Sequence, residues 1–477
     1  MGRPPALSRN TLLALPGYTR QSWLATAQAG GVRSPKQSIN LPDSRTNHEQ
    51  GECLMSGTNA IPIPWWKEPT KDQWLAWVAA WLGWTLDAFD FTIFLLLMVP
   101  ISKDFGVPLT AVAIVFTLTL WMRLIGATAS GWVADRIGRK KPLMISIAWF
   151  SVCNLLAGLA PSFWLLLLFR TVLGIGMGAE WPAGAALAME TWPQRSRGFM
   201  GSVLQGSWGL GALLSSAAYA LLYDSIGWRG LLLIGVLPAL LIVYIRIFVK
   251  EPAVWVENRR KQRAQNREFR APLISIFRRG LLANTLTACW MMASAFVVGY
   301  SVGGMFPSYL QKDLGLPTGY VALPIMLQSL MFFISAILWG LVSDRFGRRY
   351  SLMITALVTI PIAPLYLLTR DYTMIVVFFT LQGFFGGGGM HTQWPHYLSE
   401  RFPTEVRATA TGFCYHQGAI FGGLVGPVVT YFAISWHLGF ALPMLIGTVF
   451  ASVSVAASML FSPETRGTEL VSDIQLA

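Results

Sequence analysis

From residue 74 onward the chain is a succession of long apolar runs, each closed by a short charged or Gly/Pro-rich break. The runs fall at 74–98, 109–134, 141–159, 163–188, 198–222, 230–249, 280–305, 320–341, 350–369, 372–395, 411–433 and 438–461. Their lengths centre on the roughly 20 apolar residues that carry a helix across hydrocarbon. The pattern predicts an all-α membrane protein with twelve transmembrane helices. The longest interior interruption, 250–279, is rich in Lys and Arg and divides the spans six and six. The expected organisation is therefore a six-helix bundle at 65–249, a basic cytoplasmic linker at 250–279, a second six-helix bundle at 280–461 and a cytoplasmic tail at 462–477.

Charge gives the direction. Breaks after even-numbered spans hold twenty Lys and Arg, and breaks after odd-numbered spans hold four, Lys103, Arg229, Lys312 and Arg370. Lys and Arg concentrate in cytoplasmic loops, so both termini are expected in the cytoplasm. The net charge of +13 then reads as topogenic, with a lipid bilayer as partner and no nucleic acid. Composition agrees: 54% of residues are hydrophobic and 12% charged, about half the charged fraction of a soluble domain. A plasma (inner) membrane location follows. The four cysteines, three of them inside apolar runs, have no metal-ligand spacing and form no disulfide framework. Residues 1–64 are polar and lack the apolar core of a secretory signal. They read as a disordered tail, with Met55 as an alternative start.

The two halves repeat one another. Gly131-Trp-Val-Ala-Asp135-Arg136-Ile-Gly138-Arg139-Lys140 recurs as Gly340-Leu-Val-Ser-Asp344-Arg345-Phe-Gly347-Arg348-Arg349. Glu190-Thr-Trp-Pro193 with Arg197 recurs as Glu400-Arg-Phe-Pro403 with Arg407, and Glu180-Trp-Pro182 is answered by Gln393-Trp-Pro395. The first element closes a span and enters a tight turn. Its leading glycine allows close helix approach, its Asp can pair with Arg or cap a neighbouring helix, and its second glycine permits the turn. A loop that only set topology would need the basic residues but not the Asp and the glycines. Gly131, Asp135, Arg136, Gly138, Arg139 and their counterparts Gly340, Asp344, Arg345, Gly347 and Arg348 are the expected gate.

These doubled elements resemble the signature of the major facilitator superfamily. Arg170-x3-Gly174-x-Gly176-x-Gly178 is similar to its span-four motif, and Pro463-Glu-Thr-Arg-Gly467 to an ending common among its sugar and organic-acid porters. Trp65-Trp66, Ala80-Trp-Leu-Gly-Trp-Thr-Leu-Asp87-Ala-Phe-Asp90-Phe and Met189-Glu-Thr-Trp-Pro193 resemble the sialate/proton symporter group, which includes sialic acid and lactate permeases. The resemblance implies alternating access and proton symport of a small organic acid, a monocarboxylate such as lactate or a sialic acid. Aromatic-acid, dicarboxylate and sugar porters are the rivals inside the superfamily, and a non-transporting membrane sensor is the rival outside it.

A charged side chain in mid-membrane is costly and marks function by default. The first half holds five, Asp87, Asp90, Arg123, Arg170 and Glu180, and the second half none within its spans. Asp87 and Asp90 are three positions apart and share a helix face. Three acids against two cations leave one negative charge, which a symported proton would neutralise. Asp87, Asp90, Arg170 and Glu180 are thus proton-coupling candidates, with permanent ion pairing to Arg123 or Arg170 as the alternative. Arg123, roughly 21 Å into its span at 1.5 Å per residue, could grip a substrate carboxylate with two parallel hydrogen bonds. Gln205, Gln393, His416 and Gln417 are further substrate-binding candidates, with a satisfied polar residue facing the bundle as the plain alternative. No cofactor or metal is expected, no catalytic constellation is present, and the single chain is expected to be the functional unit.

Overall fold

A computed structural model describes residues 64–266, 272–316 and 318–470. The tail expected at 1–64, apart from its last residue, lies outside the described residues, as does 471–477. Every regular element among the described residues is helical: α1 Lys71–Phe105, α2 Leu109–Ile137, α3 Lys140–Gly158, α4 Phe163–Thr191, α5 Arg197–Ile234, α6 Ala239–Phe248, α7 Ala253–Ala264, α8 Pro272–Ser275, α9 Arg279–Gly299, α10 Phe306–Lys312, α11 Thr318–Phe346, α12 Arg348–Leu367, α13 Tyr372–Gln382, α14 Trp394–Arg401, α15 Arg407–Ser435 and α16 Ala441–Leu460. Two π-helical stretches, Tyr300–Gly304 after α9 and Gly383–Gly389 after α13, continue those helices with wider turns.

Local chemistry explains the ends and bends. Thr70 opens α1 with a reciprocal cap: its Oγ1 accepts from the Gln73 N–H, and the Gln73 Oε1 accepts from the Thr70 N–H at 2.7 Å. Gly227 (φ +64°) breaks the long α5 between its first 30 residues and its last turns, where a side chain would be strained. The run Gly386 to Gly389 falls in the second π stretch, where helix propensity is weakest. The basic stretch expected as a loop is partly helical. α7 is held by Trp255, whose Nε1 donates to the Asp135 carbonyl at 3.2 Å, and by the Arg260–Glu257 pair at 3.0 Å.

Ten segments among the described residues are long and apolar enough to cross a membrane. The first 24 residues of α5 and the whole of α15 are not among them. The former is rich in Gly and Ser and the latter in Gly and Thr, which lowers their hydropathy. Large apolar side chains such as Trp164, Leu221 and Phe450 stand exposed around the outside, as lipid-facing positions do.

The first six helices pack on one another, α1 on α4, α5 and α6, α2 on α4, and α3 on α4, α5 and α6. In the second half α9 packs on α15 and α16, and α12 on α13 and α16. The halves meet where α2 lies along α15 and α5 along α11. Gly131 and Gly340 sit on these two seams. A Cβ at Gly131 would stand 2.7 Å from the Ala408 carbonyl oxygen, and one at Gly340 2.9 Å from the Phe199 Cα. Both are contacts of backbone on backbone, matching the close approach expected of small residues.

Candidate functional site

The buried charges lie where α1, α2 and α4 converge. Gly174 and Gly178 bring α4 so close to α2 that a Cβ on either would run into a carbonyl, that of Thr119 or of Arg123. Gly176 does the same toward Trp149 and Phe150 of α3. This glycine ladder is the physical content of the Arg170-x3-Gly-x-Gly-x-Gly spacing. It sets Arg123 and Arg170 against the face of α1 that carries Asp87 and Asp90.

Two ion pairs result. Arg123 Nη2 donates to Asp87 Oδ2 at 2.7 Å, both side chains being almost fully buried. The Arg123 guanidinium is ringed by aromatic faces, with Trp84 at 6.0 Å, Phe91 at 5.9 Å and Trp208 at 5.9 Å. One turn along α1, Arg170 Nη1 donates to both oxygens of Asp90, at 3.2 and 3.0 Å, and to Asn154 Oδ1 at 3.0 Å. The Phe94 ring lies 4.1 Å from the Arg170 guanidinium. Asp87 Oδ1 has no hydrogen-bond partner.

Glu180 is the fifth charge and forms no ion pair with either arginine. It is buried, its Oε2 is unpartnered, and Asp87 and Arg123 are its electrostatic neighbours. Gly83 of α1 makes room for it, since a Cβ there would collide with Oε1. The negative excess counted in the sequence thus has an address.

The second half contributes aromatic and neutral polar groups to the same centre. Trp181 stacks on Tyr415 at 4.1 Å between ring centroids and donates Nε1 to Gln205 Oε1 at 3.2 Å. Trp394 lies 5.5 Å from the same Tyr415, so both tryptophans of the repeated Trp-Pro element converge on one tyrosine. His416 bonds the Gly412 carbonyl through Nδ1 at 3.1 Å and leaves Nε2 without a partner. Gln393 gives its amide N–H to Gly389 at 2.7 Å and leaves Oε1 unpartnered. Gln417 is directed elsewhere: its amide donates to the carbonyls of Cys289 at 2.8 Å and Cys414 at 2.9 Å, bracing α9 against α15.

The residues expected to form the gate lie in two mirrored networks. Asp135 Oδ1 accepts from Arg139 Nη1 at 2.9 Å and from the Ala408 N–H at 3.2 Å; Oδ2 accepts from the Thr409 N–H at 2.9 Å and Oγ1 at 2.7 Å. It caps the N-terminus of α15, in the other half. Asp344 does the same at α5, accepting from the Phe199 N–H at 2.7 Å and from Arg348 Nη1 at 2.6 Å. Arg139 grips Glu190 through two bonds at 3.0 and 2.8 Å, and Arg348 grips Glu400 through two at 3.2 Å. The symmetry then breaks. Arg407 reaches across to Glu190 at 2.7 Å, whereas its counterpart Arg197 bonds the carbonyls of Thr468 and Trp192 instead of Glu400. Arg136 and Arg345 stay outside both networks, lying over the rings of Trp132 and Phe346.

Two carboxylates that the sequence reading leaves without a role complete the mirror. Gly138 (φ +107°) and Gly347 (φ +106°) each turn the chain sharply. Glu251 accepts from the N–H groups of Arg139 and Lys140 at 2.7 and 3.1 Å, and Glu464 from those of Arg348 and Arg349 at 2.9 and 3.1 Å. Burial pushes the Glu251 carboxyl up, against the pull of those N–H groups. Lys140 caps the last carbonyls of α6, at Arg246 and Val249, as Arg349 caps that of Leu460 in α16. Their offset of 213 residues, close to that of the other landmarks, is the signal that would have found this pair of glutamates.

Two overlapping stretches, residues 80–327 and 291–473, match the Major Facilitator Superfamily and together cover most of the chain. The chain belongs to this superfamily. Superfamily and relatives alike are transporters and not enzymes, and the protein is a multi-pass integral protein of the plasma (inner) membrane. A probable 4-methylmuconolactone transporter of Cupriavidus pinatubonensis is 32% identical over 413 residues, covering 84% of this chain and 93% of that one. The sialic acid transporter NanX of Escherichia coli is 27% identical, over 81% of this chain and 93% of its own, in keeping with the resemblance to the sialate group. Among solved structures, the proton:xylose symporter XylE superposes with a TM-score of 0.69 at 18% identity, over 84% of this chain and 98% of that one. That last likeness is one of fold.

Proposed function

We propose that this superfamily transporter is a proton-coupled symporter of a small organic acid, a monocarboxylate such as lactate or a sialic acid. It would work by alternating access through twelve spans with both termini in the cytoplasm. The observation that carries the reading is the Arg123–Asp87 pair at 2.7 Å, buried among three aromatic rings with the unpaired Glu180 as its electrostatic neighbour. A guanidinium can hold a carboxylate through two parallel hydrogen bonds, and here Asp87 occupies part of that grip. Protonation of Asp87 would release Arg123 to the substrate carboxylate. Departure of the substrate would let Asp87 ionise and reclaim the arginine. A lone charge away from water costs several kcal/mol, so a proton on Glu180 removes the one charge that no arginine offsets. Arg170 and Asp90, fastened to Asn154, serve as the coupling partner that fixes α4 to α1.

An aromatic acid is the second reading of the substrate. It is favoured by the three rings within about 6 Å of the Arg123 guanidinium, which would stack a planar ligand held by its carboxylate. The names of two relatives, transporters of sialic acid and of 4-methylmuconolactone, support an organic substrate of this general kind. The test is uptake of a labelled panel of lactate, sialic acid and benzoate-type acids into proteoliposomes, with and without an inward proton gradient. Accumulation of one acid, dependent on the gradient and lost in Arg123→Lys, is expected. Uptake of neutral sugars alone, or of an acid with no response to the gradient, would sink the proposal.

A further inference from the structure

Cys289 of α9 and Cys414 of α15 face one another with their sulfurs 3.7 Å apart. Nothing in the proposed transport chemistry uses them. Cys414 is fully buried, and its thiol also points at the Thr285 carbonyl, 3.9 Å away; Cys289 is half-buried. Gln417 holds the two backbones in register by bonding the carbonyl of each cysteine. Arg401 is clamped to the same stretch of α9 through Asn284, at 2.7 and 2.9 Å.

We propose that Cys289 and Cys414 form a redox-sensitive dithiol that hydroperoxides close to a disulfide, stapling α9 to α15. A disulfide needs sulfurs about 2.05 Å apart, which side-chain rotation supplies from facing thiols on braced helices. The half-buried Cys289 reacts first: its thiolate attacks the peroxide O–O bond, the alkoxide leaves as the alcohol, and Cys289 becomes a sulfenic acid. The Cys414 sulfur then attacks that sulfenyl sulfur, and its proton leaves with the hydroxyl as water. In sum two thiols lose two electrons and two protons, and the hydroperoxide becomes one alcohol and one water. The staple joins the helix that Asp135 caps to the helix that continues into the Tyr300–Gly304 π stretch. Resting on the alternating-access reading, it follows that oxidation slows the cycle.

The test treats the full chain in proteoliposomes with tert-butyl hydroperoxide, then denatures, alkylates free thiols and maps the peptides by mass spectrometry. A Cys289–Cys414 peptide is expected, reversed by dithiothreitol and missing in Cys289→Ser and Cys414→Ser, while Cys153 of α3 stays alkylatable. Dimedone should trap the sulfenic acid of Cys289 in Cys414→Ser. If that sulfenic acid forms but the wild-type chain keeps both thiols free, the dithiol assignment is overturned. Counterflow of the transported acid should fall at least about fivefold on oxidation, recover on reduction, and be unaffected in Cys289→Ser. A staple that forms with counterflow unchanged overturns the control of transport. Absence of transport before oxidation refutes the symport reading and leaves the peptide map to decide the dithiol by itself.

Discussion

Asp135→Asn tests the expected gate at its most heavily bonded point. The carboxylate takes four hydrogen bonds, three of them from Ala408 and Thr409 at the α15 N-terminus in the opposite half. Asparagine keeps one acceptor oxygen, loses the charge that the helix N-terminus favours, and turns an amide NH2 toward donors. Losing a helix cap costs about 0.5–2 kcal/mol and a hydrogen bond to a charged group about 1.5–3. With partial compensation by the remaining oxygen, we expect about 2–3 kcal/mol lost from the closed arrangement, or about 30- to 150-fold in its population. Asp344 has fewer contacts across the seam and a side chain 19% exposed, so Asp344→Asn should cost only about 1 kcal/mol. Nitroxide labels at Ile137 and Phe346, which are 46% and 61% exposed at the ends of α2 and α11, would report the separation by double electron–electron resonance in a background with the native cysteines replaced. Asp135→Asn should add a long-distance population, Asp344→Asn a smaller one, and substrate affinity in detergent should hold within a few-fold. An equal or reversed order would refute the reasoning, and abolished binding in a folded protein would assign Asp135 to the substrate instead.

Other expectations are simpler. Asp87→Asn and Glu180→Gln should each abolish accumulation driven by a proton gradient while sparing counterflow; normal, pH-dependent accumulation would remove that residue from the coupling. Arg123→Lys should weaken substrate binding by about 1.4–3 kcal/mol, roughly 10- to 150-fold, because one ammonium cannot reproduce the paired grip; titration calorimetry reads this, and unchanged affinity would put the carboxylate elsewhere. Gly138→Ala and Gly347→Ala should each destabilise by about 1–3 kcal/mol, since the φ values near +107° suit glycine and a Cβ would meet Glu251 or Glu464; thermal unfolding without loss would contradict that. Reporter fusions at Arg263 and Asp313 should read cytoplasm and exterior respectively, and an external signal at Arg263 would overturn the topology.

What the sequence discloses and what it withholds follow one physical line. The doubled turn element is legible because its parts are close in sequence and occur twice: Gly131, Asp135, Gly138 and Arg139 need only one turn and one neighbouring helix to explain them. The partners inside the membrane depend on how α4 is rotated against α1 and α2, and a hydropathy pattern carries no rotation. Either arginine could have taken either aspartate, and the packing of Gly174 and Gly178 on α2 decides that Arg123 meets Asp87 and Arg170 meets Asp90. Glu180 is left without a cation for the same reason. Gln417 faces α9 by one rotamer and one register, neither visible in its neighbours in the chain. The helix in the basic linker is hidden because its anchor, Trp255 on the Asp135 carbonyl, is 120 residues distant.

The anchoring of the turns after α2 and α11 by Glu251 and Glu464 has a practical consequence. Each glutamate stands just beyond the last membrane helix of its half and fastens back onto a turn near that half's beginning. The unit that was duplicated therefore does not end at the lipid boundary of α6 or α16 but a few residues later, at a carboxylate. A truncation or fusion joint placed straight after Leu460 would leave the helices intact and still unfasten the Arg348 turn, whereas one placed beyond Leu470 would leave that clasp whole.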